Sequence, residues 1–219
     1  MSLLECVRIE PPKEATATVI WLHGLGANGH DFEPVVPHLG LNESTMVRFL
    51  FPNAPSIPVT INNGFTMPAW YDISSGDLKR ELDEVGLRAS VAAVRALVMH
   101  ENSLGITSDR IIIAGFSQGG AVGLELALTH PEPLAGLVAL STYFATRKSI
   151  ELDEANAQLP IFVGHGEHDP MVPVQSGERT RDILVKWGYP LEYKTYPIEH
   201  SVDMKEIRDI GFWMNERLI

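Results

Sequence analysis

Cysteine is nearly absent: Cys6 is the only one. No intrachain disulfide can form, so a reducing compartment, the cytoplasm, is expected. Basic residues are also scarce relative to acidic ones, 17 Lys and Arg against 28 Asp and Glu, for a net charge of −11. That balance argues against a nucleic-acid partner and against an anionic membrane surface, both of which select for basic patches. No apolar run approaches the ~20 residues that cross a bilayer, so stable membrane insertion is not expected. The opening stretch, MSLLECVRIEPPKE, places Glu5, Arg8 and Glu10 where a secretory signal would carry a basic start and an apolar run. Repeats, low-complexity tracts and linkers are missing as well. A chain of 219 residues with 45% hydrophobic content suits one globular domain over residues 1–219.

What is present begins with four short, continuous apolar runs at 19–22 (VIWL), 111–114 (IIIA), 137–140 (LVAL) and 161–163 (IFV). Continuity rather than alternation marks strands covered on both faces, as in a parallel sheet. Residues 47–51, ended by Pro52, and 193–196, ended by Pro197, are two further strands. Between them, Leu82, Val85, Ala89, Ala92, Ala93, Ala96 and Leu97 recur at helical spacing before Gly105. Residues 121–129, 174–187 and 202–218 read as three more helices. Strands alternating with helices in this way predict a doubly wound, mostly parallel α/β sheet. The stretch 141–160 is too short for a helical cap domain.

Residues 52–79 form the exception, a long stretch with no convincing element. Loops of that length in a compact domain are usually functional or disordered. This one carries Phe65, Met67, Trp70 and Tyr71, too apolar for a disordered linker. It reads either as a loop packed over the sheet end or as a substrate-contacting loop whose four apolar side chains line a groove.

The stretch IIIAGFSQGG, 111–120, sets Ser117 between glycines at the end of a buried strand and the start of a helix. Gly-x-Ser-x-Gly is a weak motif alone, but this is the setting of a nucleophile elbow. A sharp strand-to-helix turn lifts the serine hydroxyl above the sheet, and neighbours with side chains would clash. The bland alternative is a glycine-rich turn with an incidental serine. A serine needs a base and an orienting acid, which in this fold follow in the order Ser, acid, His. His200 is the only histidine after residue 168, between the 193–196 strand and the last helix. Asp169, after the 161–163 strand, is the candidate acid. Glu167 is its rival, Asp153 precedes the strand, and Asp169-Pro170 also reads as an ordinary turn. The second half of an oxyanion hole is expected from His-Gly-Leu-Gly at 23–26, with the Leu25 and Gln118 N–H groups as the two donors. The alternative chemistry is a zinc site at His165, His168 and Asp169, although no second ligand cluster accompanies it. A non-catalytic binding module is the remaining alternative.

With those residues in view, the chain resembles the carboxylesterase and acyl-protein thioesterase family of small α/β-hydrolases. The stretches WLHGLGANGHDF, FPNAP, MPAWYDI, RIIIAGFSQGGAVGLELAL and HGEHDPMVP carry the resemblance, in order and over nearly the whole chain. It implies Ser117 as nucleophile, Asp169 as acid, His200 as base, and Leu25 and Gln118 as oxyanion donors. It further implies hydrolysis of short- to medium-chain carboxylic esters, with no cofactor and no metal. Some members act on lysophospholipids or on S-acyl groups of proteins, so the partners implied are a lipid-like acyl ester or an acylated protein. In one respect the chain departs from the pattern. Members that cycle to membranes carry a lipidated cysteine at the extreme N-terminus, whereas Cys6 lies within LLECVR with neither a second cysteine nor a basic cluster.

Overall fold

The continuous apolar runs become the middle of a sheet. The computed structural model describes residues 3–42, 44–74 and 82–218, and among these seven strands join in one sheet in the order β1-β3-β2-β6-β7-β8-β9. They are β1 (Cys6–Ile9), β2 (Ala17–Leu22), β3 (Val47–Pro52), β6 (Ile111–Phe116), β7 (Gly136–Leu140), β8 (Ile161–Gly166) and β9 (Leu191–Tyr196). Every neighbouring pair is parallel except β1 with β3, an antiparallel edge. Every residue of β2, β6, β7 and β8 is buried, as expected of strands covered on both faces.

Alternation along the strands divides the core in two. Ile20 and Leu22 of β2 face α1 (Glu84–Ser103) and α2 (Gln118–Leu128), packing with Leu87, Val91, Val94 and Val98. Val19 and Trp21 face the other way, toward Ile207, Ile210, Trp213 and Met214 of α4 (Met204–Asn215). Each such large side chain contributes about 1.5–3 kcal/mol when fully buried. All eleven residues of α2 are buried, so this helix belongs to the core all round. Between β8 and β9 lies α3 (Val174–Lys186). Local chemistry fixes the helix starts. Asp83 accepts a hydrogen bond from the Gly86 N–H and Asp203 accepts from Lys205 and Glu206, each cap stabilising its helix by about 1 kcal/mol. Residues 141–160 hold one 3-10 turn, Glu154–Asn156, and no cap domain.

One strand goes unread in the sequence, and one expectation needs correction. The strand β1 has too few residues to show a pattern and was not anticipated. The 52–79 stretch is not structureless: Pro52 closes β3, and β4 (Ser56–Val59) pairs with β5 (Phe65–Pro68) in an antiparallel hairpin. Residues 75–79 of that stretch lie outside the described residues. The carboxyl ends of the parallel strands all lie at one end of the sheet, and there the segments after β2, β6, β8 and β9 converge, as open α/β sheets place their sites.

Candidate active site

A single residue, Ser117, separates the end of β6 from the start of α2. Its backbone has φ 53° and ψ −118°, a conformation that costs of order 1–3 kcal/mol for a side-chain-bearing residue. The surroundings impose it. The Ser117 N–H donates to the Leu140 carbonyl at 2.9 Å, and its own carbonyl accepts from Thr142 Oγ1 at 2.6 Å. A Cβ on Gly115 would sit 2.5 Å from the Gly119 carbonyl oxygen, and one on Gly119 would sit 2.5 Å from that of His23. The flanking glycines are therefore a steric requirement of the turn.

From the hydroxyl a chain of hydrogen bonds runs inward. Ser117 Oγ lies 3.0 Å from His200 Nε2, and His200 Nδ1 lies 2.6 Å from Asp169 Oδ2. The other carboxylate oxygen, Oδ1, accepts from the Met171 and Val172 N–H groups at 2.8 Å each. With Oδ1 held by backbone donors, Oδ2 is aimed at the imidazole. The Nδ1–H that it accepts leaves the Nε2 lone pair facing the serine hydroxyl. The Asp169 side chain is fully buried, whereas 19% of the His200 side chain remains exposed. Phe116 supports the imidazole with ring centroids 4.7 Å apart. Glu167 is exposed and accepts from Thr195 Oγ1, away from His200, and Asp153 caps the 3-10 turn.

The residues of the alternative metal site do not form a ligand set: His165 Nε2 lies 3.7 Å from Asp169 Oδ2, but that carboxylate is already engaged by His200 and by two backbone N–H groups. His165 is buried with Nε2 2.8 Å from the Val172 carbonyl, and burial holds its pKa below the ordinary 6.5. His168 is exposed. Among the described residues no three His, Cys, Asp or Glu side chains are grouped to hold an ion.

Of the two expected oxyanion donors, Gln118 follows Ser117 directly and Leu25 lies on a turn that packs against it. The Gln118 N–H is the first of α2, where a helix has no partner one turn back. Leu25 lies on the turn after β2, whose Gly24 packs beside Ser117: a Cβ there would sit 3.5 Å from that of Ser117. The hairpin reaches the same turn, with the Gly26 N–H donating to the Pro68 carbonyl at 2.8 Å. On this hairpin Phe65 is 70% exposed and Met67 half-buried. Trp70 and Tyr71 are each only 1% exposed and border an apolar pocket together with Leu4, Ile57 and Ala93. Sequence reasoning also passed over the Gln118 side chain and His23. The Gln118 amide accepts from the Trp70 N–H and donates to the Tyr71 carbonyl. Buried His23 accepts from the Ala54 N–H through Nε2, so its Nδ1–H donates to the Gly24 carbonyl. The one available signal was position: Gln118 is itself an expected donor and His23 lies two residues before the other, Leu25.

Comparison with known proteins then decides the family. A phospholipase/carboxylesterase family model matches residues 4–216. The chain belongs to that family. Acyl-protein thioesterase 1 of Neurospora crassa is 44% identical over 93% of this chain and 87% of its own length. Acyl-protein thioesterase 1 of Cryptococcus neoformans is 38% identical over 98% of both. Among solved structures, Arabidopsis thaliana SOBER1 superposes with a TM-score of 0.85 at 32% identity, covering 93% of this chain and 99% of that one. Zea mays acyl-protein thioesterase 2 has the same TM-score at 28% identity, covering 98% and 99%. The fold is accordingly that of the α/β-hydrolases, and the enzyme class is hydrolase of ester or thioester bonds.

Proposed function

We propose that residues 1–219 act as one α/β-hydrolase domain that cleaves carboxylic esters and thioesters through a covalent acyl-enzyme on Ser117. The observation that carries this reading is the unbroken chain Asp169–His200–Ser117, with separations of 2.6 and 3.0 Å. His200 Nε2 takes the hydroxyl proton as Oγ attacks the acyl carbonyl. Asp169 holds the imidazole tautomer and stabilises the imidazolium. The Leu25 and Gln118 N–H groups receive the oxyanion, each contributing ~3–4 kcal/mol in the transition state. The tetrahedral adduct collapses, and the alcohol or thiol leaves with the proton from His200. A water molecule, deprotonated by the same nitrogen, then releases the carboxylic acid and frees Ser117.

Labelling with a fluorophosphonate followed by peptide mapping tests the assignment. The label belongs on Ser117, and Ser117→Ala loses both label and turnover while keeping its thermal midpoint. A label on another serine, or a Ser117→Ala enzyme that retains its turnover, defeats the reading.

The relatives named as acyl-protein thioesterases favour an S-acyl group on a protein as the natural substrate, with a lipid-like acyl ester as the alternative. Exposed Phe65 and half-buried Met67, joined to the Leu25 turn, support an open apolar seat for the acyl chain. Each buried methylene contributes at most ~0.8 kcal/mol, so kcat/KM rises over the first several carbons and then flattens. Phe65→Ala weakens that slope in a panel of acyl lengths on oxygen and sulfur leaving groups; a slope that the substitution leaves intact removes Phe65 from the seat. The single cysteine supports a cytoplasmic setting. Among the described residues no helix is long and apolar enough to cross a membrane.

A further inference from the structure

Trp70 has a polar environment unlike that of a packing residue. Its indole N–H donates to the His23 carbonyl at 2.8 Å, two residues before Leu25. Its backbone N–H donates to Gln118 Oε1 at 2.8 Å, on the residue whose N–H opens α2. The Trp70 carbonyl accepts from Ser90 Oγ on α1, and the Gln118 amide also donates to the Tyr71 carbonyl at 2.7 Å. One residue thus bridges the segment that carries Leu25 and the segment that carries Gln118, and it is itself tied to a third element. Satisfying a buried indole does not by itself explain the arrangement. Trp21 is equally buried and its indole N–H finds no partner among the described residues.

We propose that Trp70 is a positioning residue, a brace that sets the distance between the two backbone donors of the oxyanion hole. The proposal rests on the reading of Leu25 and Gln118 as those donors. The physical reason is that the donors lie on separate segments, one after β2 and one after β6. Donors must meet a developing oxyanion within hydrogen-bond range, and a loose separation is lost transition-state stabilisation. The brace acts in series: Gln118 side chain, Trp70 backbone, Trp70 indole, His23 carbonyl. Cutting either end releases it.

Two substitutions in the full-length protein cut it at opposite ends. Trp70→Phe keeps a ring and removes the indole donor, while Gln118→Met keeps the backbone N–H and removes the amide. Each lowers kcat on p-nitrophenyl butyrate by about 10- to 100-fold, the range for a misplaced rather than deleted group, with KM within about twofold of wild type. Affinity for a boronic acid, which mimics the tetrahedral adduct, falls in step with kcat, and affinity for the product carboxylate does not. Because the links are in series, the double variant loses no more than the worse single one. Losses that multiply in the double variant, or a Trp70→Phe enzyme with wild-type kcat, overturn the brace. Should Trp70→Phe fail to fold, as judged by circular dichroism, Gln118→Met alone decides by the same kcat and boronate readouts. Stoichiometric fluorophosphonate labelling of Ser117 in every folded variant separates this outcome from failure of the catalytic reading. A label elsewhere would sink that reading first.

Discussion

The elbow at residues 115–120 and the hairpin segment at residues 53–74 meet at the same end of the sheet, but they are held by opposite means. The elbow is held by exclusion, backed by the Leu140 and Thr142 hydrogen bonds to the Ser117 backbone. Gly115 and Gly119 leave no room for a side chain, and the positive φ of Ser117 follows from that close approach. The hairpin segment is held by long-range hydrogen bonds to partners on other elements: Gly26 to Pro68, Trp70 to His23 and Gln118, Ala54 to His23. The steric requirement falls on glycines within a single turn and so leaves a motif, even where the opposing atoms are distant in sequence, as Leu22 and His23 are from Gly119. Long-range bonds have no fixed spacing and leave none.

The largest effect should come from violating the exclusion. Gly119→Ala puts a methyl 2.5 Å from the His23 carbonyl oxygen and 2.6 Å from that of Leu22, both backbone atoms with little freedom to move. We expect a loss of at least ~3 kcal/mol in urea denaturation, at the upper end for overpacking, with activity falling alongside. A Gly119→Ala protein with unchanged midpoint and turnover would break the contrast between the two regions.

An intermediate effect concerns a place that is tightly packed yet lacks hydrogen bonds. Glu206, on α4 against Gly164, is buried, and neither carboxylate oxygen has a partner among the described residues. Burial, with Asp203 and Asp209 nearby, raises its pKa from 4.5 to about 8. The folded state therefore holds a proton that the unfolded state has released, and stability declines as pH rises from 4.5 through about 8. Buried His23, His130 and His165 act in the opposite sense. Their pKa values fall below the ordinary 6.5, so the unfolded state binds more protons and stability is lost as pH falls below 6.5. Above pH 6.5 only the glutamate slope remains among these four. The urea midpoint of Glu206→Gln should exceed that of wild type by a margin that widens from pH 6.5 to 9. A constant margin over that range would show that the carboxyl is not the titrating group.

The smallest effect belongs to the hairpin's exposed end. Asp72 accepts from the Thr60 hydroxyl and N–H at 2.6 and 2.7 Å, and these bonds lower its pKa. The group is partly exposed and keeps the Thr60 N–H bond, so Thr60→Val should cost less than ~1 kcal/mol. That contribution is present above the ordinary carboxylate pKa and is lost as pH falls through the folded value. A thermal-melt loss as large as that of Gly119→Ala would mean that single bonds hold the hairpin as firmly as exclusion holds the elbow.

The same division explains what could be read from residues alone. The four buried central strands and α1 were visible because burial on both faces leaves continuous apolar runs and burial on one face leaves helical spacing, whereas α2, buried all round, was marked by its place after the glycines and before Pro131. The Ser117, Asp169 and His200 positions were visible because an elbow has a local signature and the order of its partners follows the strands. The β4–β5 hairpin was not, since four-residue strands containing Pro58 and Pro68 carry little pattern. The burial of Trp70 and Tyr71 is not legible either, because an aromatic side chain in an irregular stretch looks the same in sequence whether it is exposed or buried. Only its distant hydrogen-bond partners distinguish the two cases.

The central claim, an acyl-enzyme on Ser117, is tested most directly by rapid acid quench during turnover and peptide mass spectrometry. Butyryl oxygen ester and butyryl thioester substrates should add the same butyryl mass to the same peptide, at Ser117. An adduct on any other residue, or different adducts from the two leaving groups, would contradict the account.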